Sequence, residues 1–385
     1  MSGYDAEVAV IGGGIVGCAV AEALAVRGVA TILIEAGASL GGAASGSNSG
    51  ILHTGFDSVP GELETELILR SGPLREQLAP ALGVIVRRCG ARLRDHDDAQ
   101  HAAIARLAAN ARRNGVEVDL RGPGELIVPG ESITDPLAFT AALGERARAA
   151  GAAVRLDCPV AALAAGGGGG VRVELSGGGE LLARGVANCA GLFADELAAV
   201  GGESPFEVYP RKGEFLVFEQ PGERLDEILL PVPSAAGKGV LVFPTVDGHV
   251  IAGPTARDRE DKRDWAVEQD AGELILNRAR TIFPPLEGRE PIAAYAGLRP
   301  AGRGVNYAIA PSRTLPGLVN AAAIRSTGLT AAPAIGEYVA GLLAAATGLR
   351  LAEPAKLAPL PGRAPEEPWW RVAAERSRRS ARGAA

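Results

Sequence analysis

The chain has 385 residues, 47% of them hydrophobic and 4% aromatic, which is enough for two domains whose cores must be filled by Ala, Val, Leu and Ile. A formal net charge of −6, with no basic face outside the C-terminal tail, excludes nucleic acid as the expected partner. The four cysteines, Cys18, Cys89, Cys158 and Cys189, lie far apart without metal-type spacing, no apolar run is long enough to span a bilayer, and the chain enters a strand without a basic, apolar leader. The expectation is a reduced, cytoplasmic setting, no metal site, and membrane contact that is at most peripheral.

Residues 7–11 are an apolar, β-branched run, 15–27 are Ala-rich with a helical pattern, and 29–34 are apolar again, which predicts strand, helix, strand. Gly12, Gly14 and Gly17 fall on the first turn in G-x-G-x-x-G spacing. The first permits a tight turn, the second removes a side chain from a pyrophosphate, and the third lets helix and strand pack closely. The helix start, Ile15 and Val16, then presents backbone N–H groups to the phosphates. Glu35 ends the second strand, where a carboxylate can accept hydrogen bonds from both ribose hydroxyls. A glycine turn in an ordinary βαβ unit would not call for that Glu. FAD is preferred over NAD because a second polar, glycine-rich segment follows at residues 41–50.

Further on, residues 84–88 and 116–120 read as strands around a polar helix over 97–114, the first insert of a second domain. Residues 215–218, 228–232 and 240–243 read as strands, and Asp247-Gly248 signals a hairpin before 250–252. The glycine runs 166–170 and 177–179 read as hairpin turns with no phosphate role, since no helix start follows them. Thr330 reads as an N-cap for a helix from Ala331, with Pro333 in its first turn. The fold class is α/β: a Rossmann-like dinucleotide-binding domain from residues 1–85, 145–205 and 300–352, and an α+β substrate domain with a mixed sheet from 86–144 and 206–299. Residues 353–385 turn Pro-rich and then basic, with Trp369-Trp370 ahead of Arg371, Arg376, Arg378, Arg379 and Arg382. They read as a loosely docked or disordered tail, with contact to an anionic membrane or a partner subunit as the alternative.

Four segments carry a resemblance: the N-terminal unit, the stretch from Gly41 through Ser45, Asn48, Ser49, Gly50 and His53 to Gly55, the Asn188-Cys189-Ala190-Gly191 segment, and Gly297-Leu298-Arg299-Pro300 followed by Arg325-Ser326-Thr327-Gly328-Leu329-Thr330. Together they make the chain similar to the D-amino-acid-oxidase superfamily of FAD-dependent oxidoreductases, in the branch of glycerol-3-phosphate dehydrogenases and L-2-hydroxyglutarate oxidases. The resemblance implies FAD on a glutathione-reductase-like βαβ unit. It implies that Ser45, Asn48, Ser49 and Gly50 run past the pyrophosphate and under the flavin, that Ala190 and Gly191 approach the dinucleotide, and that Val160 meets the adenine. Gly328, Leu329 and Thr330 would then turn into a helix whose dipole faces the flavin.

By the same resemblance, Arg299 would grip a substrate carboxylate or phosphate through a bidentate fork; a surface ion pair is the alternative, but the segment lacks helical spacing to a carboxylate. His53 has three open roles: base for the substrate hydroxyl, neutral hydrogen-bonded histidine, or covalent attachment point for flavin. Lys212 and Lys238 are glycine-flanked, one a candidate cation near the flavin or at the pocket mouth, the other equally a solvated hairpin lysine. Tyr295 and Tyr307 flank the Arg299 segment, and packing is their expected role. The implied activity is hydride transfer from a small anionic secondary alcohol to flavin, glycerol 3-phosphate ahead of an L-2-hydroxy acid. Amine oxidation and a flavin subunit of an electron-transfer complex are the alternatives, and the acceptor, whether oxygen, quinone or protein, is not indicated.

Overall fold

The computed structural model describes residues 3–95, 98–122, 124–202, 204–233, 239–362 and 366–383. Its helices are α1 (Ile15–Ala25), α2 (Leu63–Leu82), α3 (Asp98–Arg113), α4 (Pro136–Ala149), α5 (Ala194–Val200), α6 (Gln269–Ile282), α7 (Gly328–Thr347) and α8 (Trp369–Ala381).

The first sheet has a parallel core in the order Leu318–Ala322, Glu180–Asn188, Ala6–Ile11, Thr31–Ile34, Ala153–Arg155. Thr31–Ile34 is buried throughout and Ala6–Ile11 nearly so, as strands covered on both faces must be. Ile11 is in register with Ile34 on one side and Asn188 on the other, so these strands end level and their carboxyl edge forms a common rim. The glycine runs close the antiparallel hairpins Val160–Ala165/Val171–Leu175 and Val171–Leu175/Glu180–Asn188, as expected. On one face α1 packs against α4 and α7, and α2 against α7. The α1–α7 crossing needs glycine at Gly336, where a Cβ would stand 2.5 Å from the Ala19 carbonyl oxygen. Against the expectation that no apolar run is long enough to span a bilayer, α7 is long and apolar enough to cross one, although its buried face is spent on these neighbours.

A nine-stranded mixed sheet forms the second layer, in the order Arg257–Asp258, Val208–Phe218, Val250–Gly253, Leu241–Pro244, Ile228–Leu230, Ala91–Arg94, Glu125–Val128, Asp119–Arg121, with Ala293–Gly302 paired along Val208–Phe218. The strand expected at 215–218 is eleven residues long, because Ala293–Gly302 runs antiparallel to it from Val208 to Val217. The one expected at 116–120 begins later, at Asp119. The Asp247-Gly248 hairpin is present. Ile51–Leu52, Ser132–Thr134 and Val86–Arg88 make a small third sheet between the layers.

Two expectations need correction. The boundary placed at 144/145 falls inside α4, which packs on α1, so that helix belongs to the dinucleotide-binding layer. The tail is also docked. Ala352 N–H and Ala355 N–H donate to the carbonyls of Arg27 and Val26, and Leu360 N–H to that of Ala81, which leads the Pro-rich segment along α1 and α2. α8 then lies across the second sheet with Trp369 1% and Trp370 2% exposed. Trp369 Nε1 donates to the Asn48 carbonyl at 3.1 Å and Trp370 Nε1 to Asp247 Oδ2 at 3.0 Å. The tryptophans are committed to the interior, so membrane or partner contact through them has no surface to work with.

Candidate functional site

The turn after Ala6–Ile11 rests on two glycines that no other residue could replace, Gly12 and Gly17. Gly12 has φ +104°, and a Cβ there would meet the Cys189 carbonyl oxygen at 2.3 Å; at Gly17 it would meet the Gly12 carbonyl oxygen at 1.8 Å. Gly14 differs, since a Cβ there would find only Ser45 Oγ at 3.2 Å and otherwise open space. That space is the cradle a diphosphate requires, at the N-terminus of α1, where Ile15 N–H donates to Ser45 Oγ at 2.9 Å. Glu35 folds back over the turn, accepting from Gly13 N–H at 2.5 Å and Gly37 N–H at 2.7 Å, with lone pairs left on both oxygens for ribose hydroxyls.

Above the rim lies a cavity of about 2270 Å³, beyond the roughly 300–1,000 Å³ of a common ligand pocket and suited to a large cofactor with a substrate. Gly12, Gly14, Ile15, Val16, Glu35, Ser45, Asn48 and Ser49 line it, with Val160, Ala190, Gly191, Gly328 and Leu329, and His53 and Arg299 line it too. Three expected contacts stand behind the wall instead. Gly17 supports Gly12, Gly50 packs on the Thr134 carbonyl, and Thr330 is fully buried. Thr330 is not the N-cap either: α7 starts at Gly328 after Thr327, and the Thr330 hydroxyl is used elsewhere.

That hydroxyl accepts from His53 N–H at 3.0 Å. His53 Nδ1 lies 2.9 Å from Glu131 Oε2, and Glu131 Oε1 accepts from Thr54 N–H at 2.7 Å and Thr54 Oγ at 2.9 Å. Glu131 is wholly buried, while the His53 side chain keeps 21% of its surface. An ionised Glu131, which can only accept, would take the bond from Nδ1–H and leave Nε2 as the basic nitrogen. Arg75, from α2, donates to the Thr330 carbonyl at 2.5 Å and the His53 carbonyl at 3.3 Å, and burial lowers its guanidinium to about 10. Sequence reasoning missed Glu131 and Arg75. A carboxylate inside the apolar stretch 126–133 was the available signal for Glu131; Arg75, on an amphipathic helix, carried none.

Arg299 comes from the strand Ala293–Gly302, which crosses the 41–50 loop so closely that a Cβ on Gly297 would lie 2.8 Å from the Ser47 carbonyl oxygen. Its Nε donates to the Arg211 carbonyl at 3.0 Å, and Nη2 to the carbonyls of Lys212 at 3.1 Å and Thr255 at 2.6 Å. These bonds orient the guanidinium without neutralising it. Burial, and then the like charges of Arg211 and Arg325, push it down to about 10. Arg211 and Arg325 line the same cavity, and Asn48 Nδ2 donates to the neighbouring Ser326 carbonyl at 2.9 Å. Arg211 pairs with Asp258 at 3.1 Å and Arg325 with Glu64 at 3.4 Å, whereas Arg299 forms no ion pair with a carboxylate among the described residues. Of the three, only Arg299 was singled out in advance.

Lys212 does not take part. Its side chain is 0% exposed and its Nζ lies 2.9 Å from Asp264 Oδ2 and 3.6 Å from Glu268 Oε1, a buried ion pair on the side of the strand away from the cavity. Lys238 lies outside the described residues. Tyr295 stacks on Phe215 with centroids 4.7 Å apart, and Tyr307 hydroxyl meets Thr327 Oγ at 3.1 Å, so both pack as expected.

Comparison with known proteins agrees with this geometry. The profile of the family described as FAD dependent oxidoreductase (DAO) matches residues 7–342. A glycerol 3-phosphate dehydrogenase of Caloramator mitchellensis is 29% identical over 362 residues, covering 88% of this chain and 73% of its own. A glycerol 3-phosphate oxidase of Mycoplasma pneumoniae is 26% identical over 361 residues, covering 88% and 94%. An L-2-hydroxyglutarate dehydrogenase of Escherichia coli (strain K12) is 27% identical over 284 residues, covering 68% and 67%. Among solved structures, dithionite-reduced L-alpha-glycerophosphate oxidase from Mycoplasma pneumoniae with FAD bound is similar in fold at a TM-score of 0.84 and 24% identity, covering 90% of this chain and 96% of that one.

Proposed function

This chain belongs to the DAO family of FAD-dependent oxidoreductases, and on that premise we propose that it oxidises glycerol 3-phosphate at its secondary hydroxyl. The cofactor, when bound, supplies the two-electron oxidant that accepts the substrate's hydride. Gly12, Gly14, Ile15 and Ser45 would hold its diphosphate, Glu35 its adenosine ribose, and the 45–49 loop its ring. Everything else falls to the protein. Arg299, with Arg211 and Arg325, receives the substrate phosphate; each charge-assisted bond contributes roughly 1.5–3 kcal/mol in a desolvated site. His53 Nε2 takes the hydroxyl proton as the C–H bond breaks, and Glu131 stabilises the imidazolium that results. The carbon becomes a ketone, the proton rests on His53, and the electron pair leaves with the hydride.

The observation that carries this reading is the His53–Glu131 pair opening into the cavity that Arg299, Arg211 and Arg325 also line. A proton acceptor suits an alcohol better than a neutral amine, which can lose hydride without one. The long coverage of glycerol 3-phosphate enzymes supports phosphate over dicarboxylate. An L-2-hydroxy acid is the second reading, because the same guanidinium patch and base would serve it and the L-2-hydroxyglutarate enzymes match two thirds of the chain. Anaerobic mixing of the flavin-loaded protein with each compound tests the choice. Bleaching of the flavin band by glycerol 3-phosphate at a lower concentration than by L-2-hydroxyglutarate is expected; the reverse order selects the second reading, and bleaching by an amino acid alone rejects both.

A further inference from the structure

α8 lies beyond the residues that the family profile matches, yet it reaches the cofactor side of the cavity. Its basic residues Arg371, Arg378 and Arg379, and Arg382 just after it, are exposed to solvent, whereas Arg376 turns inward and lines the cavity. Arg376 Nη1 donates to the carbonyls of Gly42 and Ala43, and the guanidinium lies over the Trp265 ring, 3.9 Å from its centroid. Nε and Nη2 are buried and have no hydrogen-bond partner. No carboxylate forms an ion pair with Arg376 among the described residues. Burial pushes the guanidinium down to about 10. A desolvated cation without a carboxylate partner is costly unless an anion lies close to it.

The place of the guanidinium on the cavity wall, held through Nη1 to the Gly42 and Ala43 carbonyls, indicates which anion lies near it. Gly42 and Ala43 belong to the same short loop as Ser45, whose hydroxyl sits at the N-terminus of α1 beside the open cradle at Gly14. Between residues 11 and 53 the cavity lining contains Glu35 and no Lys or Arg. The helix end offers only about half a positive charge, whereas a dinucleotide brings a doubly charged diphosphate. In oxidised FAD the diphosphate is the anionic group; the isoalloxazine and adenine are neutral near pH 7. We propose that Arg376, delivered by α8, is a cofactor-binding residue that pairs with the FAD diphosphate, so that this helix is part of the flavin site. The proposal rests on FAD as the cofactor and is independent of which alcohol is oxidised.

The test is equilibrium binding, with no turnover involved. Full-length protein stripped of flavin is titrated with FAD, ADP and riboflavin, for the wild type, Arg376→Met and Arg376→Lys. The expected result is a loss of about 10- to 100-fold in affinity for both FAD and ADP in Arg376→Met, unchanged riboflavin binding, and partial recovery in Arg376→Lys. Ser377→Ala is the control for docking: it removes the acceptor of Ala296 N–H and keeps the guanidinium, so FAD affinity should stay within about twofold. Unchanged ADP affinity in Arg376→Met, an equal loss for riboflavin, or an equal loss of FAD affinity in Ser377→Ala would each overturn the assignment. If Arg376→Met fails to fold, Arg376→Lys decides: FAD and ADP affinity must both drop with riboflavin binding held, and wild-type values reject the proposal.

Discussion

In the proposed reaction His53 and Glu131 divide one task between them: the imidazole would meet the substrate, and the buried carboxylate beside Nδ1 would decide which nitrogen is free to act. His53→Gln should therefore lower the rate of flavin reduction by substrate about 10²- to 10⁴-fold while the flavin stays bound, which stopped-flow absorbance would measure. A variant still within about threefold of the wild type would remove the base from the reading. Arg299 allows a prediction in stability. Its folded-state value, about 10, lies below that of a free guanidinium, so the folded state is penalised for carrying the charge at every pH below about 10, and the penalty is relieved only as pH rises above that value. A bound anion relieves it at neutral pH instead. Glycerol 3-phosphate or sulfate should raise the melting temperature of the wild type, and Arg299→Met should lose that increment; an equal increment in both would place the anion elsewhere. Glu35 and the turn glycines were legible because they fall in a short local pattern, while His53 and Arg299 were singled out through the resemblance; the structure brings Gly12, Gly14, Glu35, His53 and Arg299 to one cavity. Glu131 was not legible, since the group that gives it meaning lies 78 residues earlier in the chain. Lys212 was misread for the same reason: its glycine-flanked setting suggested a hairpin, while the acids that neutralise it, Asp264 and Glu268, lie far along the chain.

Among the elements, those with an internal period were read well. The first strand, α1, the second strand and α3 came out within a few residues, because apolar spacing and turn glycines mark them locally. Val208–Phe218 was cut short because Pro210 and the charged Arg211-Lys212 break its apolar pattern, and only its ten-residue partner Ala293–Gly302 makes them strand. α8 was taken for a tail because arginines dominate its composition, and a burial of two adjacent tryptophans depends on a groove that no local pattern announces. α4 illustrates an element with a strong local start. Asp135 caps it, accepting from Leu137 N–H and Ala138 N–H, both at 2.9 Å, with Pro136 in the first turn. Asp135→Ala should cost about 1 kcal/mol, within 0.5–2, read as a lower urea midpoint at constant slope. An unchanged midpoint would mean that packing on α1 alone holds the helix.

At the level of the whole molecule, two layers enclose a space larger than their own side chains fill, and the cofactor belongs in that space. Removing FAD should therefore destabilise the protein, by about 2.7 kcal/mol relative to flavin supplied at a hundredfold excess over its dissociation constant, with a melting temperature that climbs as flavin is added back. A melting temperature indifferent to flavin would show that the layers hold themselves apart unaided. The two-layer plan was legible in outline, because the dinucleotide turn and the alternation of βαβ with strand-rich segments point to it. What was not legible is how the chain closes on itself. α8 follows in sequence every segment it touches, among them the 41–50 loop, α4, the Asp247 hairpin, the Trp265 region and the strand Ala293–Gly302. During synthesis those segments emerge and pair before the helix that seals them exists. The stretch of cavity wall that Arg376 supplies is thus added after the rest of the lining, from Ile11 to Leu329, has been made.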